Sequence, residues 1–332
     1  MPQGVYMASQ GFIADQTQLL QVVLDGLAVY NRTTTPLISR LSNDEVRQEF
    51  RIAQAPIPFE IAGDGANTLN QQQSWRKLTV PMVSYHTGVG WTIDGLDDSL
   101  PSDITDTLNG VMAGDVERQE AELFKAIFTK RTAGSVASGT AYHASWWNGE
   151  TDVPNYKDST FFGLAHSHFK GTGSVTLDLE DLDEAAIDIR QHGYGQRGLW
   201  AYFNIAQETA LKSLLNITVA SSLNTPQRTR AQDQGIHEGI TYAGIDIFFD
   251  SNVPAGYFSV FDPFVIPLRR RVHPNPNARG LRMFGETFNE NYPLAGKNFR
   301  SRFGFGVVHL GAGVARQLVA SATYTNPTFR IQ

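Results

Sequence analysis

Between Gln48 and Asp94 the chain alternates apolar and polar positions in short bursts, at Phe50-Arg51-Ile52, Pro58-Phe59-Glu60-Ile61 and Lys77-Leu78-Thr79-Val80. A period of two predicts extended chain. The bursts flank a polar tip, Gly63-Asp64-Gly65-Ala66-Asn67, where two glycines and an asparagine supply the positive φ angles of a turn. Gln71-Gln72-Gln73 and Trp75 begin the return strand. An arm of this kind has too few apolar neighbours of its own to fold as a domain. A lone two-stranded ribbon is marginal in water, and its open edges invite pairing with another chain.

From Pro101 the period changes. Ile104, Leu108, Val111, Met112, Val116, Leu123, Ile127 and Phe128 fall mostly three or four apart, which predicts a helix over Ser102 to Arg131 with Ser99 or Ser102 as its cap. At 1.5 Å per residue such a helix is about 42 Å long. Gly110 and Gly114 each weaken it by roughly 1 kcal/mol relative to Ala, so packing must hold it. Arg118 and Glu122 are spaced to pair on its solvated side.

The rest predicts an α+β chain. A helical patch lies between Asp15 and Tyr30 and is stopped by Asn31-Arg32-Thr33-Thr34-Thr35-Pro36. Thr132 to Gly173 is rich in Gly, Ser and Thr and predicts loops and short strands. Asp178 or Thr176 caps a helix with Leu179, Leu182, Ala186 and Ile189 on one face, His192 in its last turn and Gly193 at its end. A strand at Leu199 to Phe203, a helix over Gln207 to Leu215 and strands at Ile240 to Ala243 and Ile245 to Phe249 complete an α/β unit. Further strands are expected at Tyr257 to Phe261, Phe264 to Leu268, Phe299 to Val308 and Gln317 to Tyr324.

Composition narrows the function. Of the 332 residues 18% are charged and 41% hydrophobic. Soluble domains usually carry about 25% charged residues, so polar uncharged side chains and glycine fill the surface, as in a protein largely covered by copies of itself. The formal charge is −6 and no run of five basic residues occurs, which disfavours a protein that grips nucleic acid by neutralising phosphates. Any nucleic acid nearby is confined rather than clasped. With no cysteine there is no disulfide, thiolate metal site or cysteine nucleophile. Met1 to Gln10 lacks a secretory pattern, and no apolar run is long enough to span a bilayer, so a soluble, non-exported protein without a membrane role is expected.

Three passages then carry a family resemblance. Asp115-Val116-Glu117-Arg118-Gln119-Glu120-Ala121-Glu122-Leu123-Phe124 resembles the charged second half of a spine helix. Gly244 to Gly256, with Phe261-Asp262 close behind, resembles the strand, Pro and Gly that leave an axial domain. Tyr292 to Val308 resembles the late peripheral-domain strand that runs back beside that helix. In this order the chain is similar to the major capsid proteins of tailed bacteriophages with the HK97 fold.

The resemblance implies an N-terminal arm at 1–47, an extended β-hairpin loop (the E-loop) at 48–94, and a peripheral domain at 95–175 with its spine helix at about 102–131. It further implies an axial domain at 176–255 and a β-rich part at 256–332 that returns to the peripheral domain. Its implied function is a shell subunit that forms hexamers and pentamers around double-stranded DNA without sequence-specific binding. Implied partners are further copies of itself, a separate scaffolding protein, a portal and a decoration protein. The location is the virion, after assembly in the host cytoplasm. Lys77 lies in the segment where some members crosslink, but no partner motif matches and no crosslink is expected. The contacts between subunits are expected from Phe59 and Trp75 as anchors, Arg76 as a polar partner, and Arg269, Arg270 and Arg271 against acids of a neighbour.

Other motifs read more plainly as structure. Gly193-Tyr194-Gly195-Gln196-Arg197-Gly198 matches GxGxxG, yet it closes a helix and opens a strand, the reverse of a dinucleotide site. His166-Ser167-His168 with His143 could supply imidazoles to a metal, but no carboxylate cluster completes a shell, and loop histidines are the simpler reading. The acids Asp178, Glu180, Asp181, Asp183 and Glu184 suit a helix start. The Asn31 and Asn216 sequons have no consequence without secretion. No hydrolase motif occurs, and neither an enzymatic role nor a cofactor is expected. Two alternatives remain open: an encapsulin-like compartment shell holding a cargo enzyme, and a metal-dependent enzyme using the histidines near 166.

Overall fold

The computed structural model describes residues 21, 23–32, 35–53, 75–92, 101–130, 142–143, 145–148, 167–214, 240–289 and 294–329. In chain order the elements are a helix over 23–30 (α1), α2 (Pro36–Leu41), β1 (Ser42–Glu45), β2 (Glu49–Ala53), β3 (Trp75–Thr79), β4 (Val83–Thr92), α3 (Pro101–Phe128), β5 (Tyr142–His143) and β6 (Phe169–Gly171). After these come α4 (Leu179–Gln191), β7 (Leu199–Asn204), α5 (Glu208–Leu214), β8 (Ile240–Tyr242), β9 (Ile245–Asp250), β10 (Tyr257–Phe261), β11 (Leu268–Arg271), β12 (Arg282–Asn289), β13 (Leu294–Val307) and β14 (Gly313–Gln317). Packing divides the chain into two units, one of residues 1–39, 82–120 and 272–304 and the other of 40–81, 121–271 and 305–332. The helix α3 and the strand β13 each run through the division.

In the first unit β13 pairs antiparallel with both β12 and β4, placing Arg300 opposite Arg282 on one side and His86 on the other. Alternation gives this sheet two faces. Phe299 is fully buried among Leu281, Leu108, Val23 and Leu27, so this face meets α3 and α1. Phe303 stacks on Tyr85 at 4.8 Å, and the Arg118 guanidinium of α3 lies over the Tyr85 ring at 4.6 Å. Polar bonds fix α1. Asp115, 8% exposed, accepts 2.7 Å bonds from the Tyr30 hydroxyl and from Gln119 Nε2. The Asn31 side chain bonds both N–H and C=O of Leu281 at 2.8 Å, as a neighbouring strand would. A Cβ on Gly280, whose φ is +74°, would fall 2.1 Å from Asn31 Oδ1, so only glycine admits this clamp.

The second unit is built on a six-stranded mixed sheet in the order β6-β14-β10-β7-β9-β8. Its central strand Leu199-Trp200-Ala201-Tyr202-Phe203 is buried on both faces, hence its near-continuous apolar run. Ala201 and Phe203 face the stripe Leu182, Ala185, Ala186 and Ile189 of α4, together with Ile245, Ile247, Phe258, Val260 and Val314. On the other face Tyr202 stacks with Phe261 and Phe248 and tilts against Phe124 of α3. β8 and β9 are joined by Ala243 and Gly244 at φ 47° and 84°, the two positive values of a tight hairpin turn.

Several boundaries differ from the sequence expectation for definite reasons. α3 starts with Pro101, so Ser102 lies inside its first turn. It ends at Phe128 because the Asn326 side chain takes both polar groups of the Lys130 backbone, at 2.7 and 3.1 Å. Arg118 is half-buried over Tyr85 rather than solvated. Phe264 to Leu268 is not a strand. Asp262 caps a 3-10 turn at Pro263–Val265, Ile266 is left-handed at φ 43°, and pairing begins only at Leu268. The last strand is Gly313–Gln317, and beyond it the tail bonds back irregularly, Leu318 to Gly256 and Ala322 to Gly171. β13 begins at Leu294, earlier than expected. The cap of α4 is Asp178, which closes a reciprocal capping box with Asp181.

One charged cluster joins α4 to the sheet. Asp188 accepts from Arg316, itself 2% exposed, and from Lys170 at 2.9 Å. Burial alone would raise the Asp188 carboxyl, but the charges of Arg316 and Lys170 outweigh it and hold it below its ordinary value of 3.8. Asp188→Asn should therefore cost about 3 kcal/mol at neutral pH, since it leaves a buried guanidinium without its charge partner. A depressed carboxylate contributes stability above its unfolded-state value and loses it as pH falls through the folded one. Urea melts from pH 7 down to acid should show the wild-type advantage shrinking below the ordinary carboxylate range. An advantage independent of pH would contradict this account.

Candidate assembly surface

The stretch 48–94 divides at Val80 and Pro81. β2 and β3 form an antiparallel hairpin, with Glu49 opposite Thr79 and Ala53 opposite Trp75. β3 also pairs in parallel with β5, Leu78 opposite Tyr142, so among the described residues β2 lies at the sheet edge. Residues 83–92 instead form β4, a strand of the first unit's sheet. β2 ends at Ala53 and β3 begins at Trp75, and residues 54–74 between them lie outside the described residues.

Its root is built around Val80, which is fully buried. The Val80 N–H donates to Gln48 O at 3.0 Å, and Val80 O accepts from Arg271 Nη1 at 3.0 Å. Arg271 comes from β11, which runs parallel to β1 with Asp44 opposite Arg270. Arg270 grips the Asp44 carboxylate with Nε at 2.7 Å and Nη2 at 3.0 Å, a two-pronged charged pair. Arg269 turns back onto the carbonyls of Ile266 at 2.7 Å and Leu268 at 3.1 Å. The left-handed bend at Ile266 thus has its exposed carbonyl satisfied by the strand it introduces.

Asp262 holds the same corner. It is 5% exposed, and its two oxygens accept from the N–H groups of Phe264 and of Gly195 in the glycine-rich turn. That turn follows the end of α4 at His192, with Gly193, Gly195 and Gly198 all at positive φ, so the GxGxxG pattern is a helix stop pinned to a carboxylate. His309 lies edge-on to Tyr194. Burial lowers its pKa and nearby Arg269 lowers it further, against the opposing charge of Asp262.

The histidines take places that sequence reasoning missed. His168 is fully buried, with Nδ1 2.6 Å from Gly313 O and Nε2 3.0 Å from Nε2 of His192. A carbonyl can only accept, so His168 donates to Gly313 from Nδ1, and a single proton lies between the two Nε2 atoms. Trp147 closes the pair edge-on to His192 at 5.0 Å. Both nitrogens of His168 are used in packing, and among the described residues no group of three His, Asp or Glu is placed to hold a metal. His166 lies outside the described residues.

Of the expected contact residues, Phe59 lies outside the described residues and Trp75 and Arg76 sit in β3 opposite Ala53 and Ile52. Arg269, Arg270 and Arg271 are brought together, each with a partner in its own chain. Asp44, Val80 and Asp262 complete the corner. Their separation in sequence hides them, although Asp262-Pro263 is itself a legible turn signal.

No protein-family model and no curated protein sequence matches the chain. Solved structures do. A chain from Mycobacterium phage Patience is 20% identical, with a TM-score of 0.70 over 93% of this chain and 90% of that one. A capsid structure of the cyanophage P-SCSP1u is 11% identical, with a TM-score of 0.51 over 84% of this chain and 86% of that one. The capsid of an empty GTA particle is 14% identical, with a TM-score of 0.50 over 86% and 91%. The likeness extends over most of the chain and assigns it the HK97-like capsid fold.

Arg271→Ala should leave the Val80 carbonyl buried without its donor and loosen the hairpin root. Hydrogen exchange should rise at Gln48–Ala53 and Trp75–Val80 while the sheet of the second unit stays protected. Removing the Arg270–Asp44 pair, whose carboxylate is 48% and whose arginine is 16% exposed, should cost about 1 kcal/mol. Equal exchange in wild type and Arg271→Ala would show that the guanidinium does not hold the root.

Proposed function

We propose that this chain is the major head subunit of an icosahedral phage shell, assembling as hexamers and pentamers around double-stranded DNA. The observation that carries the proposal is the capsid fold over nearly the full chain. The edge hairpin and the acidic charge of −6 support it, since a DNA container needs contacts between subunits more than a clasp on phosphates.

In this reading residues 1–47 form the N-terminal arm, 48–94 the extended loop with 54–74 as its reaching part, and 95–175 a peripheral domain along α3. Residues 176–255 form an axial domain, and 256–332 return to the peripheral domain. Phe59, Trp75 and Arg76 contact a neighbouring copy, and the ridge Arg269 to Arg271 lies beside the hairpin root where a neighbour's acids can reach it. Many modest contacts add through multivalency into a closed shell. The partners are other copies of the chain, a scaffolding protein, a portal and a decoration protein. Assembly takes place in the host cytoplasm, and the role is structural rather than catalytic.

Light scattering and negative-stain microscopy of the purified chain should show megadalton particles. A monodisperse monomer or small oligomer under all assembly conditions would refute the shell. Deleting Gly63 to Asn70 should leave a folded subunit, judged by its melting curve, that no longer closes shells. Normal particles from that variant would remove the loop from the mechanism.

A further inference from the structure

The face of the β12-β13-β4 sheet opposite α3 carries a cationic and aromatic row that the shell reading does not use. Arg282, Arg300 and His86 lie side by side across the three strands. Arg302 follows two residues along β13, about 7 Å further on. Phe284, 38% exposed, holds the row together: Arg300 lies over its ring at 5.2 Å and His86 meets its edge at 5.3 Å.

Two arginines elsewhere in the chain have carboxylate partners, Asp44 for Arg270 and Asp188 for Arg316. Among the described residues Arg282, Arg300 and Arg302 have none. Arg282 makes only a long 3.4 Å bond to the Arg279 carbonyl. Arg302 keeps Nε buried with no acceptor. A buried guanidinium N–H without an acceptor is costly, and three arginines without carboxylates, one of them over an exposed ring, are what an anionic partner would complete.

We propose that this face is a docking surface for carboxylates of a second copy of this chain. Charge complementarity selects that occupant. The whole chain carries −6, so its surface away from this row is more acidic still, with Glu180, Asp183 and Glu184 exposed at the start of α4 as one such region. The row is built from arginine and phenylalanine, the residue types enriched where proteins meet, rather than from lysine. Nucleic acid fits less well. Phosphate binding gains its strength from many neutralised charges, and three arginines on an acidic subunit supply few. The choice of a second copy rests on the shell reading.

The test compares wild type with Arg300→Glu/Arg302→Glu and with Arg300→Lys/Arg302→Lys, by sedimentation velocity across protein and salt concentration. Thermal melts confirm that each folds. Wild-type self-association should weaken with salt, the Glu variant should need about tenfold more protein to associate, and the Lys variant should fall between them. The same proteins are titrated against a labelled DNA duplex. Unchanged association of the Glu variant, or duplex binding that the Glu variant alone loses, would overturn the proposal. Salt-sensitive association that stops at small oligomers would support the face while refuting the shell. A wild type that stays monomeric would refute both.

Discussion

A strand that leaves a folded body must have its backbone satisfied where it leaves, because an unpaired peptide at a buried point costs as much as a lost hydrogen bond. Val80 is a buried point of this kind, directly after the end of β3. Its N–H is taken by Gln48, its carbonyl by Arg271, and its side chain is fully buried. Beneath it β1 and β11 run in parallel, clamped by Arg270 on Asp44. The hairpin is thus fixed at its foot by a peptide, a guanidinium and an apolar side chain, and among the described residues β2 is an outer strand of its sheet.

The body that bears this hairpin uses polar groups sparingly and pairs them. Asp188, Arg316 and Lys170 bind α4 to β14 and β6, and His168 and His192 pass one hydrogen bond between β6 and the end of α4. Gly313 shows how close these layers come: a Cβ there would lie 2.5 Å from Trp146 and 2.7 Å from Phe261. Such groups resist removal singly, because each leaves a desolvated partner behind. They favour one arrangement of α4 on its sheet over near alternatives.

How much was legible follows from how local each signal was. The long helix, the strand Leu199 to Asn204 and the Asp178 cap came from periods and spacings within a few residues, and the structure places them within one to three positions of expectation. The α+β class and its capsid resemblance followed from their order. Contacts between distant residues were not legible. Arg271 and Val80 are 191 positions apart, Asn31 and Leu281 are 250 apart, and nothing in either neighbourhood names the other. The helix also hid buried polar residues: Asp115 and Gln119 interrupt the apolar stripe yet face inward, because Tyr30 and each other satisfy them. The misread strand at Phe264 had a local cue in Asp262-Pro263, which its aromatic and β-branched residues obscured.

The ion pairs divide by burial. Arg316 is 2% exposed against an Asp188 that is 12% exposed, whereas the Asp44 carboxylate of the Arg270 pair is 48% exposed. A buried pair is costly to break and keeps the subunit in one shape, while an exposed pair contributes at most about 1 kcal/mol and can exchange its partner. Within the chain the division is between a pair that fixes the packing of α4 on its sheet and a pair whose carboxylate still meets water, and only the second can be broken at little cost.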